Sequence, residues 1–210
     1  VGKDPRSGPE AGSRTQAERR ATTEQRLLEA AHEIVAEEGV RAVTTAAVGR
    51  RAGYSRGIVN HHFGSRAAMM VRLAEEAQSR FAPSPEGRRG REHVLSVVGD
   101  YLGMLHSRPQ DLRVFLRLWS AAVGDEEPSL RCAFAERDAA FRDYFEAAIA
   151  EGVAEGTIRA DIDGAATAVG LVGMVRGIAM QVQIDPGLLE GERLREAAVA
   201  LVDHSLRGAR

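Results

Sequence analysis

Residues 55–63 read Ser-Arg-Gly-Ile-Val-Asn-His-His-Phe, a stretch rich in hydrogen-bond donors and free of carboxylates. Eleven residues upstream, 44–51 read Thr-Thr-Ala-Ala-Val-Gly-Arg-Arg, again without an acid. Side chains that donate and carry positive charge suit phosphate oxygens and the acceptor edges of bases. The wider pattern agrees. Glu38 and Glu75 bracket 36 residues with no Asp or Glu, and that run holds Arg41, Arg50, Arg51, Arg56, Arg66 and Arg72. A local field of one sign implies a polyanionic partner more than it implies a fold. The bland alternative is a chance depletion of acids on a solvated face. His61 and His62 also raise metal binding, but adjacent helical residues point about 100° apart and do not ligate one ion from one face. Ordinary packing is the competing reading for His62.

The elements that must hold these residues are short helices. Val48 and Ala52 fall on one side of the first. Ile58 or Val59, with Phe63, falls on one side of the second. Gly53 supplies the turn, and Arg50, Arg51, Arg56, Asn60, His61 and His62 are left to solvent. Short helix, glycine turn, short helix is the spacing of a helix-turn-helix. Ser55 caps the second helix and leaves backbone N–H groups as a ready phosphate site. Gly57 would let a backbone approach closely.

The flanks extend this plan. Thr22 and Gln25 are spaced as a capping box, which predicts a helix over about 23–38, stopped by Gly39. Residues 1–20 are polar, rich in Gly and Pro, and expected to be disordered; Arg14, Arg19 and Arg20 could form a minor-groove arm. Ser65 caps a longer helix carrying Met69, Met70, Leu73, Ala77 and Phe81, which Pro83 and Pro85 end, and 82–90 reads as a linker. Beyond it, apolar residues at helical spacing predict helices through to the end, with no strand-like alternation. The chain is expected to be all-α.

Composition bounds the rest. The chain has 210 residues, 44% of them hydrophobic and 28% charged, with a net charge of −2. The first 90 residues hold 15 basic and 11 acidic side chains, so the negative balance lies in the second part. One cysteine, Cys132, excludes a disulfide framework and a four-cysteine zinc site; a structural role is expected for it. No charged flank followed by an apolar run suggests a secretory signal, so a cytoplasmic location is expected. The run 164–184 is about long enough to span a bilayer. Arg176, Gln181, Gln183 and four glycines interrupt it, which reads better as a helix buried in a core or between subunits. No catalytic triad, acid pair or phosphate loop is present, and neither an enzyme, a metal nor a cofactor is expected.

The stretch TTAAVGRRAGYSRGIVNHHFGSRAAM over 44–69 resembles the DNA-binding domain of TetR-family transcriptional repressors, in spacing as well as residue type. The resemblance implies a division into a tail at 1–21, a helix-turn-helix domain at 22–68 and a helical ligand-binding and dimerisation domain at 69–210. It implies a phosphate contact from Thr44 or Thr45. It places Ser55, Arg56 and Gly57 at the groove edge, His61 on a phosphate and Arg66 where the family has a backbone-contacting Lys. Asn60, His62 and Tyr54 depart from the family pattern. Asn is shaped for bidentate bonding to adenine, which makes Asn60 a candidate base reader.

The resemblance also implies a double-stranded operator, a homodimer and a small-molecule effector of unknown identity. Helix-turn-helix proteins usually read two half-sites as dimers. Leu171, Val172, Val175, Ile178 and Ala179 could pair with Leu194, Ala198, Leu201 and Val202 and their symmetry mates, or pack within the monomer. Tyr101, Met104, Phe115, Trp119, Phe141, Tyr144 and Met174 could line a pocket or fill a core. Arg176 needs an anion: a ligand carboxylate, an internal acid such as Asp143 or Glu146, or an acid across the dimer. Around Arg117-Leu118-Trp119 and Asp185-Pro186-Gly187 the C-terminal half is similar to the subgroup of the choline–betaine operon repressor, from which no ligand is inferred.

Overall fold

The computed structural model describes residues 15–81, 87–188 and 190–207, and among these there are helices and no strand. The first helix, α1, spans Gln16–Glu38. It begins earlier than the Thr22 box predicts. Thr15 caps it, with its hydroxyl accepting from the Glu18 amide while Glu18 accepts from the Thr15 amide. The Thr22 and Thr23 hydroxyls instead donate back to the Glu18 and Arg19 carbonyls inside the helix. Two boxes of the same spacing lie in tandem, and the upstream one wins because its N3 residue is a carboxylate, favoured at a helix N-terminus. Arg19 and Arg20 are therefore helical, not part of an extended arm. Arg14, the rest of the expected tail at 1–14, and Pro83 and Pro85 lie outside the described residues.

Gly39, at φ +92°, ends α1 and leads through a 3₁₀ turn at Val40–Ala42 into α2, Thr45–Ala52. Gly53 takes the left-handed conformation (φ +76°) that a side chain would resist. Ser55 then caps α3, Arg56–Phe63, and Ser65 caps α4, Arg66–Ser79. Leu27, Ala31, Val35, Val43, Val48, Val59, Met69, Met70 and Leu73 meet beneath these four helices as one buried cluster.

The remaining helices are α5 (Gly90–Ser107), α6 (Pro109–Val123), α7 (Pro128–Ala154), α8 (Gly164–Ile184) and α9 (Gly191–Arg207). Proline opens α6 and α7, where its missing N–H costs nothing. The α5 helix packs on α9 and α7, and α7 packs on α8 and α4. Helix α6 lies among α1, α4, α7 and α8. A polar seam joins the first helices to the later ones: Arg80 pairs with Glu76 at 2.6 Å and Asp111 at 2.8 Å, and the buried His32 lies 3.1 Å from Asp111.

Candidate functional site

The α2–turn–α3 unit presents its donors outward. Val59 and Phe63 are the buried pair of α3; Ile58 is 38% exposed, which settles the choice between Ile58 and Val59. Ser55, Arg56, Gly57, Asn60 and His61 are exposed, and His62 is half-buried. The Ser55 hydroxyl accepts from the Ile58 amide at 3.4 Å, leaving the first amides of α3 without intrahelical acceptors. Thr44 is the N-cap of α2 and accepts from the Ala47 amide at 3.0 Å, while Thr45 is the first helical residue and half-buried. The Thr44 hydroxyl keeps its proton to donate.

A stretch without acids in sequence is not without acids in space. Arg51 pairs with Glu37 at 2.6 Å and Glu38 at 2.9 Å, both on α1. Arg72 pairs with Glu75 and Glu24, and Arg41 pairs with Glu126. Arg50 and Arg56 have no acidic partner among the described residues, so the positive field concentrates on them.

Arg66 differs most from expectation. Its Nε donates to the Val43 carbonyl at 2.6 Å, one terminal nitrogen reaches Val40 O at 3.3 Å, and the other meets the Glu127 carboxylate. Its position at the start of α4 turns it back under the 3₁₀ turn, and it braces Val40–Val43 against the start of α7. Burial pushes the Glu127 carboxyl up, but hydrogen bonds from Arg66 and Ser129 and the Arg66 charge outweigh it and hold that carboxyl below its usual range.

Tyr54 is half-buried against the core, and its phenol oxygen accepts from Arg26 of α1 at 3.4 Å. This departure ties the turn to α1. The His62 ring packs between His61 and Phe63, with centroids at 5.8 and 6.4 Å. Burial, then the charges of Arg20 and His61, lower its pKa, which favours a neutral packing residue. No cluster of His, Cys, Asp or Glu that could hold a metal occurs among the described residues.

Gly49 escaped the sequence reading. A Cβ there would lie 2.9 Å from Tyr54 O and 3.2 Å from a Val59 methyl, so α2 and α3 meet across it. A Cβ on Gly57 would meet only the Ser55 hydroxyl, at 3.6 Å. The signal available was Gly49's position one residue past Val48, on the side of α2 that must face α3.

In the C-terminal half the expected pocket residues divide. Tyr101 and Phe115 are buried, and each contacts Phe81, with centroids at 5.9 and 5.8 Å. Phe141 joins Tyr101 at 6.3 Å. Burial pushes the Tyr101 phenol up to about 12. Arg176 holds Asp138 through two hydrogen bonds, at 2.6 and 2.8 Å, and its guanidinium lies over the rings of Phe115 and Trp119 at 5.5 and 5.4 Å. Its anion is thus internal, but Asp138 rather than Asp143 or Glu146; Asp138 is the acid on the turn of α7 that faces α8. Tyr144 turns away to share a 2.6 Å hydrogen bond with His93, Met104 is half-buried against the core, and Met174 lines a groove between α8 and α9. Cys132 is exposed on α7, against the expected structural role.

The expected dimer residues are mostly interior. Leu171, Val172, Val175, Ala179, Ala198 and Val202 are buried within the chain, Ile178 and Leu194 are half-buried, and Leu201 alone of the set is exposed, at 64%. The outer stripe of α8 is instead Val169, Gly173, Gly177, Met180 and Ile184, spaced three or four apart. By length and composition α8 could cross a membrane, and a third of it is buried inside the chain.

Two family models match. The model described as bacterial regulatory proteins, tetR family, covers residues 27–73, and that described as BetI-type transcriptional repressor, C-terminal, covers 90–207. Solved structures share the fold. A Rhodococcus sp. protein described as a TetR-family transcriptional regulator has 24% identity and a TM-score of 0.73, over 87% of this chain and 97% of that one. NalD, the secondary repressor of the MexAB-OprM multidrug efflux pump in Pseudomonas aeruginosa, has 20% identity and a TM-score of 0.69, over 89% and 97%. A transcriptional regulator from Saccharomonospora viridis, in complex with choline, has 18% identity and a TM-score of 0.72, over 89% and 98%. No curated protein sequence matches.

Proposed function

The chain belongs to the TetR family of bacterial transcriptional regulators, and we propose that it is a cytoplasmic repressor that grips a palindromic operator as a homodimer and releases it when a small molecule binds the C-terminal helices. The observation that carries this reading is the outward face of α3, with Arg56, Asn60 and His61 exposed and no carboxylate among them. Thr44, the Ser55-capped amides, Arg56 and His61 would hold phosphates, Gly57 would let the backbone close on the groove, and Asn60 would read a base edge. Arg66 would act by holding the unit in place. The tail at 1–21 gives way to helix from Gln16, so the DNA-binding unit in this reading extends from there to the start of α4.

The effector would sit against Tyr101, Phe115, Trp119 and Phe141 near the Arg176–Asp138 pair. It would act by favouring a conformation of α4 that does not fit DNA; moving the balance from 1:99 to 99:1 takes about 5.5 kcal/mol of preference. The dimer would form through the outer faces of α8 and α9.

Titrating a labelled mixed-sequence duplex at several salt concentrations tests the DNA reading. Arg50 and Arg56, present twice in a dimer, set an expected log–log slope of about −3.6 or steeper. Absence of saturable binding at low salt would leave a helical interaction module with the fold but not the activity.

A further inference from the structure

Helix α1 carries no basic residue in its last turn; the Gly39 amide donates to Val35 O at 3.2 Å, and the carbonyls beyond it end the helix without i+4 amide partners. A second donor to Val35 O, and one to Ala36 O, comes from α6. One terminal nitrogen of Arg117 donates to Val35 O at 2.6 Å and to Ala36 O at 2.9 Å. A cation at this end also opposes the helix dipole. Two residues to either side, Phe115 and Trp119 lie under the Arg176 guanidinium, which Asp138 fixes from α7. Successive helical residues turn by about 100°, so residues two apart face nearly opposite ways. One helix therefore holds the DNA-binding unit on one side and the aromatic–ionic cluster of the C-terminal core on the other.

We propose that Arg117 is the positioning residue through which the state of the Arg176–Asp138–Trp119 cluster sets the placement of the helix-turn-helix. This rests on the DNA-binding reading above and assigns its regulation to α6, in addition to α4. The coupling is reciprocal: if the cluster biases DNA affinity, DNA must bias the cluster by the same factor. The cluster contains the chain's one tryptophan, so the return effect has a direct signal. Arg117 itself is exposed, which lets its side chain be changed without opening the core.

The experiment is a titration of the full chain with a labelled mixed-sequence duplex at low salt, following duplex anisotropy and Trp119 emission together, in wild type, Arg117→Met, Asp138→Asn and the double variant. Circular dichroism melts confirm that each is folded. In wild type, Trp119 emission is expected to change with the same midpoint as anisotropy. Asp138→Asn is expected to alter duplex affinity about fivefold or more, and Arg117→Met to cut that effect below about twofold and to silence the emission change while binding persists. Arg117→Lys, which keeps a donor near the two carbonyls, should restore part of the signal. Saturating anisotropy with a silent Trp119 in wild type overturns the proposal while leaving DNA binding intact; so does an Asp138→Asn effect that is undiminished in Arg117→Met. No anisotropy change at any concentration overturns the DNA reading itself.

Discussion

Arg56 and Arg66 stand ten residues apart on the same arginine-rich stretch, yet their surroundings give them opposite work. Arg56 is exposed at the start of α3 and has no partner among the described residues, whereas Arg66 holds two carbonyls and Glu127. Arg56→Ala should weaken every duplex alike and lower the salt slope by about one unit per site, while Asn60→Ala should relax preference at one base position. A binding-site selection run on both variants separates them; equal losses on all sequences for Asn60→Ala would remove the base-reading role. Arg66→Ala should instead cost stability, about 1–2 kcal/mol, since the Arg66 side chain is partly exposed but Glu127 is not. Because the Glu127 carboxyl is held below its usual range when folded, its contribution is present above the unfolded pKa and is lost as pH falls through the folded one. Melting curves taken downward from pH 6 should therefore show wild type losing its advantage over Arg66→Ala in the acid range. A constant gap at all pH values would contradict the assignment.

At the scale of elements, the contact between α2 and α3 sets the shape of the reading unit, and two glycines have opposite parts in it. Gly49→Ala puts a methyl against Tyr54 O and Val59 and should destabilise the fold by about 1–3 kcal/mol. Gly57→Ala has room and replaces a helical glycine, so it should leave stability equal or up to about 1 kcal/mol higher while weakening duplex binding. Chemical denaturation beside duplex titration reads both. Sequence periodicity exposed the helices because caps and apolar spacing are local: Thr44, Ser55, Ser65 and Gly39 all do what their residue types predict. It marks the side of α2 on which Gly49 lies but not how tightly that side is crowded, since crowding depends on how two helices approach. Nor could it reveal the partners of Arg66, Arg117 and Arg176, which come from 61, 82 and 38 positions away. The helix start failed for a different reason: Thr15 and Thr22 offer the same box, and only the competition between them decides.

At the scale of the molecule, the expected interface turned out to be the inner side of helices whose outer side is still uncovered. An amphipathic pattern on α8 and α9 marks residues that pack, but not whether they pack on their own chain. Leu171, Val172, Val175 and Val202 face the core, and what remains outside is Val169, Met180, Ile184 and Leu201, at 59, 42, 83 and 64% exposure. Apolar side chains this open, beside glycines that let another helix come close, favour a second copy as their cover. Leu201→Glu combined with Val169→Glu places charge on that face without entering the core. The double variant should elute as a monomer in light scattering with an unchanged circular dichroism spectrum. It should still bind duplex at low salt, because each α3 is intact, but with a log–log salt slope about half that of wild type, since half as many phosphates are engaged. A dimer that persists would move the interface elsewhere; a monomer with the full wild-type slope would mean that one reading unit makes all the phosphate contacts and that pairing is not how this chain grips DNA.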